Sequence, residues 1–293
     1  METTLPIAKL LARYGIRPTK RLGQHFLVDR RYLDKIVQTH ELDDVKTILE
    51  VGPGPGNLTE RLLQTGAGVL AVEVDARFVP LLNDRFAGGP DFTLCQIDIL
   101  QSGELNPRVI STLQERWEEG WALVSNLPYQ VATTVIVEVM YLPIMPKVMC
   151  VTIQKEVARR LLGRPGSKDY SALTVLVQSF ANVQLVCTVP AGAFWPRPAV
   201  DSATVKIVPK RETGIKNPQY LRRMVNLMFR HRRKTLRSGF LKVLPEEQKL
   251  QAEKAFQQLG TDPSARAEQL EISDFIGLSN TMLEQGVNFS IDR

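Results

Sequence analysis

Cysteine is scarce in this chain: Cys95, Cys150 and Cys187 are scattered over 293 residues, each in apolar surroundings. No paired-cysteine spacing of a zinc site and no dense disulfide framework is present, so the three are read as reduced core thiols. The histidines, His25, His40 and His231, lie far apart without obvious ligand partners, and no metal site is expected. Long apolar runs are also missing. The most apolar stretch, 131–145, is interrupted by Glu138 and Pro143, short of the roughly 18 to 20 residues that a bilayer-spanning helix needs. A basic, apolar and small-residue secretory leader is absent near the N-terminus, so a cytosolic location is expected. The basic residues Lys9, Arg13, Arg17, Lys20 and Arg21 leave an organellar transit peptide as the alternative. Internal repeats and low-complexity tracts are lacking as well.

What remains is an ordinary globular composition, 44% hydrophobic and 23% charged, which excludes disordered and fibrous classes. Lys plus Arg number 37 against 31 for Asp plus Glu, a formal net charge of +6 that favours an anionic partner. From Thr47 onward, short β-branched runs alternate with amphipathic stretches: 47–51, 58–63, 69–74, then strand candidates at 93–97, 121–125 and 148–153. This is βαβ patterning, and each run is apolar enough to lie in a parallel sheet covered on both faces. Two later runs, 183–189 and 203–208, suit an antiparallel edge of the same sheet. After Pro209 a polar linker leads into helical periodicity at 219–240, 246–259 and 273–283, so residues 1–209 are expected to form an α/β domain and 210–293 a small all-α domain.

Glu50-Val-Gly-Pro-Gly-Pro-Gly56 closes the first strand and opens a helix that Asn57 can cap. Glycines at 52, 54 and 56 permit positive φ and remove Cβ atoms that would clash with a bound nucleoside. A dinucleotide loop would instead read G-x-G-x-x-G, which argues against a nicotinamide cofactor. Glu73 lies at the end of the second strand, 21 residues beyond Gly52, the position of a ribose-diol acceptor, with Asp75 as a competitor in the loop. Asp98 is expected to end the third strand and accept from an adenine amine. The series Glu50, Gly52, Glu73 and Asp98 on successive strand ends describes an S-adenosylmethionine pocket. Ser125-Asn126-Leu127-Pro128-Tyr129 follows the fourth strand. The Asn126 side-chain oxygen and the Leu127 carbonyl are acceptors suited to an exocyclic amine, and Tyr129 to stacking on its base. Gripping the amine in this way turns its lone pair toward a sulfonium methyl, so the chemistry is mainly positioning.

With these motifs the chain resembles the ribosomal RNA adenine dimethyltransferases, in particular their bacterial small-subunit branch. The resemblance also covers 20–27 (Lys-Arg-Leu-Gly-Gln-His-Phe-Leu), 194–203 (Phe-Trp-Pro-Arg-Pro-Ala-Val-Asp-Ser-Ala), 229–236 and 260–268. It implies a Rossmann-like class I methyltransferase sheet, mostly parallel with an antiparallel edge, and S-adenosylmethionine as methyl donor. The reaction it implies is dimethylation of the N6 amines of two adjacent adenosines near the 3′ end of 16S rRNA, within the 30S subunit or its precursor, by a monomer. Carried over position by position, it places His25, Leu27, Glu50, Gly52, Gly54, Glu73, Asp98 and Asn126 at the cofactor. Asn126, Leu127, Pro128, Tyr129 and Phe194 fall at the target base, with Phe194 closing opposite Tyr129. His25 stands where the family has Asn; its ring can still donate or accept.

From 222 to 242 there is no acidic residue, while Arg222, Arg223, Arg230, Arg232, Arg233, Lys234 and Arg237 repel one another unless they meet phosphate. With Lys20 and Arg21 they are the candidate RNA contacts, the alternative being a solvated helix face. The base must be reached unpaired or extruded. The rival activities are a 23S rRNA methyltransferase, a ribosome-assembly binding protein that has lost turnover, and a nicotinamide oxidoreductase.

Overall fold

The computed structural model describes residues 6–38, 42–86, 88–89, 91–115 and 120–289; His40 lies outside them. The chain divides into two compact units, Met1–Ala158 with Val183–Pro209 and Arg159–Asn182 with Lys210–Arg293. Among the described residues no helix is long and apolar enough to cross a membrane.

The first unit is organised by a seven-stranded sheet: β1 Thr47–Val51, β2 Gly68–Val72, β3 Phe92–Cys95, β4 Trp121–Asn126, β5 Val148–Gln154, β6 Ala181–Val189 and β7 Ser202–Pro209. Their order is β3-β2-β1-β4-β5-β7-β6. β3 through β5 pair in parallel, and β7 runs antiparallel to β5, with Ser202 opposite Gln154. The α/β class expected from the alternating pattern is the one observed, antiparallel edge included. β1 is buried at all five positions, and β4 and β5 at all but their last, because helices cover both faces and leave no room for a polar alternation.

β1 and β4 pair only from Thr47 and Trp121 to Leu49 and Leu123. Beyond that point they part, one chain leaving toward β2 and the other toward β5, which opens a crevice at the carboxyl ends of the strands. The buried Ser125 hydroxyl donates to the Val51 carbonyl at 2.7 Å and bridges the two strand ends. The helix Asn57–Leu63 begins directly after the glycine loop and buries Leu58 and Leu62, each worth roughly 1.5 to 3 kcal/mol. Its cap differs from expectation: Gly56 precedes it at φ +84°, and Asn57 is already helical, its amide donating to the Leu27 carbonyl at 3.0 Å.

In the second unit, Asn217 caps the helix Pro218–Arg230 through the Tyr220 N–H, and Tyr220, Leu221, Met224, Val225 and Met228 form its buried stripe. The expected single helix over 219–240 is broken. After His231 the chain turns out of the helix, because Leu236 and Arg237 donate their N–H groups to Ala265 and Pro263, and Thr235 bridges Arg266. The domain boundary near Pro209 is only one of the crossings, since 159–182, which ends on the first two residues of β6, groups with the helices. Tyr170, fully buried, lies 6.2 Å from the Phe229 ring and donates its hydroxyl to the Leu270 carbonyl at 2.8 Å. That commitment is made by partners 59 and 100 residues further along the chain and leaves no trace in local composition.

Candidate active site

The crevice at the strand ends holds a cavity of about 150 Å³. Gly52, Gly54, Glu73, Asp98, His25, Asn126, Leu127, Pro128 and Tyr129 from the sequence reading all line it, joined by Leu22, Gly23 and Gln24. The glycine loop owes its composition to the protein's own packing. A Cβ on Gly54 would meet the Phe26 ring at 2.7 Å, one on Gly52 would meet the Pro128 ring at 2.9 Å, and one on Gly56 would run into the Phe86 ring. All three glycines also hold positive φ. The side chains packed on the loop, Phe26, Pro128 and Phe86, already exclude a Cβ at these positions.

Glu73 follows β2 directly and is 5% exposed. One carboxylate oxygen accepts the Gly54 N–H at 3.1 Å and the other the Asp75 N–H at 2.9 Å. Burial pushes its pKa up, and these backbone donors oppose the rise. Asp75, the competitor, is otherwise engaged. Arg77 grips both of its oxygens at 2.9 and 2.6 Å and the Gln24 amide donates at 2.7 Å, so its pKa is lowered. Gln24 in turn accepts from the Thr19 N–H, fixing the N-terminal segment at the cavity wall. Asp98 is exposed and stands beyond β3, which ends at Cys95, earlier than the sequence pattern suggested. Its carboxylate accepts from the Leu100 N–H.

Asn126 is the last residue of β4. Its Nδ2 donates to the His25 carbonyl at 3.1 Å, which identifies Oδ1 as the remaining acceptor. That oxygen is buried and has no hydrogen-bond partner among the described residues. Unpaired buried acceptors are uncommon and costly, so one on the wall of a cavity marks a place for a donor. Beside it, His25 and Tyr129 stack with ring centroids 6.0 Å apart and planes at 26°.

Three residues stand elsewhere. Glu50 is 2% exposed and reaches a second, smaller cavity shared with Leu27, Gly52 and Asn126; its carboxyl accepts the Thr59 hydroxyl at 2.6 Å. Burial pushes its pKa up to about 8. Leu27 is buried and pairs with Phe194 in a two-residue ladder. Phe194, 4% exposed, packs in the hydrophobic core and lines neither cavity.

Lys20 and Arg21 are exposed in a short turn leading into Leu22 and Gly23 of the cavity wall. In the helical unit Arg223, Arg230, Arg233, Lys234 and Arg237 are exposed and Arg222 is half-buried. Arg232, its side chain still 38% exposed, is also held by partners of its own unit. It pairs with Glu268 at 2.6 Å and donates to the Lys168 carbonyl at 2.7 Å, while Gly166 N–H donates to the Glu268 carbonyl. This arginine is a strut, and it staples the turn 163–169 to the segment 231–235. The turn adds two exposed cations that sequence reading missed, Arg164 and Lys168; a basic Gly-Arg-Pro-Gly-Ser-Lys turn was the available signal.

The family described as "Ribosomal RNA adenine dimethylase" matches residues 16–283. A "Ribosomal RNA small subunit methyltransferase A" from Geobacillus thermodenitrificans is 36% identical, covering 94% of each chain. One of the same name from Halothermothrix orenii is also 36% identical, covering 94% of this chain and 91% of its own. Among solved structures, a dimethyladenosine transferase from Plasmodium falciparum is similar at TM-score 0.75 and 25% identity, over 91% of this chain and all of that one. The 23S rRNA methyltransferase ErmE is similar at TM-score 0.63 and 26% identity, over 88% and 99%. With strand order, glycine loop, strand-end acids and sequence all in agreement, the chain belongs to the ribosomal RNA adenine dimethylase family.

Proposed function

We propose that this protein transfers methyl groups from S-adenosylmethionine to the N6 amines of two adjacent adenosines near the 3′ end of 16S rRNA, acting as a monomer on the 30S subunit or its precursor in the cytoplasm. The observation that carries the reading is the buried, unpartnered Asn126 Oδ1 on the cavity wall. An adenine amine offers the donor that this acceptor lacks, and the Leu127 carbonyl is a second acceptor one residue on. The relatives named for the small subunit favour 16S rRNA over 23S rRNA.

The residues present fit the cofactor. Glu73 keeps lone pairs for a ribose diol, Asp98 for an adenine amine, and Gly52, Gly54 and His25 contribute wall and backbone. Glu50 and Leu27 act from beneath, through the adjoining small cavity. When bound, S-adenosylmethionine supplies an electrophilic methyl on its sulfonium. The chain's own contribution is orientation. Asn126 holds the amine so that its lone pair, otherwise delocalised into the ring, is turned toward the methyl, Pro128 stiffens the turn, and Tyr129 presents a stacking face. Phe194 serves the base only through the backbone it buttresses. Lys20, Arg21, Arg222, Arg223, Arg230, Arg233, Lys234 and Arg237 bind RNA phosphate, with Arg164 and Lys168 added and Arg232 holding the scaffold.

The test is transfer of labelled methyl groups to unmethylated 30S and, in parallel, 50S subunits, with the modified nucleoside identified by mass spectrometry. Adjacent dimethyladenosines in 16S rRNA are expected; label in 23S rRNA refutes the substrate. Asn126→Ala should lower transfer about 100-fold or more while cofactor binding stays within a few-fold, the loss reported for a preorganised positioning group. Equal transfer by variant and wild type removes Asn126 from this role.

A further inference from the structure

The segment from Ala191 to Ser202 contains the family-like Phe-Trp-Pro-Arg-Pro-Ala-Val-Asp-Ser run, yet its aromatic residue Phe194 is buried in the core. Two other groups of the segment reach the cavity wall. The Ser202 hydroxyl lies 2.7 Å from the Tyr129 hydroxyl, and the Pro196 carbonyl lies 2.8 Å from His25 Nδ1. A carbonyl only accepts, so Nδ1 carries the proton of this bond and, in the neutral ring, Nε2 is left as an acceptor. Each of the two stacked rings is therefore tied by its polar atom to the same segment.

The anchors are themselves fixed. Ser202 is fully buried and is the first residue of β7, in register with Gln154 of β5. Next to it, Asp201 accepts the Ala191 N–H at 3.0 Å through its carboxylate and the Lys155 N–H at 3.0 Å through its carbonyl, closing the segment into a braced loop. Tyr129, by contrast, sits half-buried at the start of a turn, where an untethered phenol ring has several rotamers open to it.

We infer that Ser202 is a positioning residue for methyl transfer: its hydroxyl holds the Tyr129 ring in the plane on which the target base stacks, while the Pro196 carbonyl orients His25 behind it. The inference rests on the adenine-methylation reading above. It assigns the segment a role through Ser202 and Pro196. A tether of this kind acts on the reacting geometry and not on subunit affinity, which resides in the basic residues.

The experiment compares wild type, Ser202→Ala, Tyr129→Phe, the double variant and Ser202→Thr in methyl transfer to unmethylated 30S subunits, with cofactor binding and thermal unfolding measured in parallel. Ser202→Ala is expected to lower kcat about three- to tenfold, the worth of one hydrogen bond, with KM for the subunit and cofactor affinity unchanged. Tyr129→Phe, a substitution at a half-buried position that leaves Ser202 intact, should reproduce that loss, and the double variant should be no slower than either single one. Ser202→Thr should restore kcat. Wild-type kcat in either single variant, or losses that multiply in the double variant, overturns the inference. Wild type that neither binds S-adenosylmethionine nor transfers methyl groups overturns the functional reading instead.

Discussion

Glu50 makes a quantitative prediction. It lies within β1, 2% exposed, with one partner, the fully buried Thr59 hydroxyl, and with Glu73 raising its pKa further. Burial is the main cause that moves its pKa from an ordinary 4.5 to about 8; the Thr59 bond and Arg85 act the other way. Unfolded, the carboxyl loses its proton above 4.5; folded, it keeps the proton until about 8. Between those values the native chain binds more protons than the unfolded one, so stability falls as pH rises, by about 1.4 kcal/mol per pH unit. The contribution is complete below the lower value and lost as pH passes the upper one.

Glu50→Gln removes the titration while its side-chain oxygen still accepts from Thr59. Urea unfolding of both proteins at pH 5 and pH 8 isolates the effect, because any constant packing difference cancels. The stability gap should shift by roughly 3 to 4 kcal/mol in favour of the glutamine variant on going from pH 5 to pH 8. A gap that is the same at both pH values refutes the buried, protonated carboxyl and returns Glu50 to an ordinary ionised state.

Gly54→Ala would push a methyl group to 2.7 Å from the Phe26 ring at φ +54°, so it should cost about 1 to 3 kcal/mol of stability and weaken S-adenosylmethionine binding, read by calorimetry; a variant as stable as wild type contradicts the steric account. Arg232→Ala should destabilise the helical unit by about 1 kcal/mol, since it removes a part-exposed ion pair and the bond to the Lys168 carbonyl while Arg266 stays 3.9 Å from Glu268, whereas Arg233→Glu with Lys234→Glu should leave stability nearly unchanged and flatten the salt dependence of RNA binding. Thermal unfolding and filter binding across salt concentrations separate the two, and identical behaviour of both variants refutes the division between strut and contact.

The sheet and the cavity were legible because both are written locally. A run such as Trp121–Ser125 has one physical solution, a strand covered on both faces, and a glycine at φ +69° beside a proline ring announces itself by residue type. Strand-end acids follow from the same logic, since the strand places whatever comes next in the crevice. The departures share a different cause. Arg232 and Arg233 are indistinguishable in sequence, and only Glu268, far along the chain, makes one a strut and leaves the other exposed. Tyr170 joins the helical unit through Leu270, and Ser202 reaches the site through Tyr129. In each case a polar side chain is committed by one distant hydrogen bond. A residue's chemistry states what it can bond to, and topology decides which partner arrives. Residues that strand ends and turns place at the cavity are thus readable early, while those that hold other residues in place emerge only when the strands and helices have been brought together.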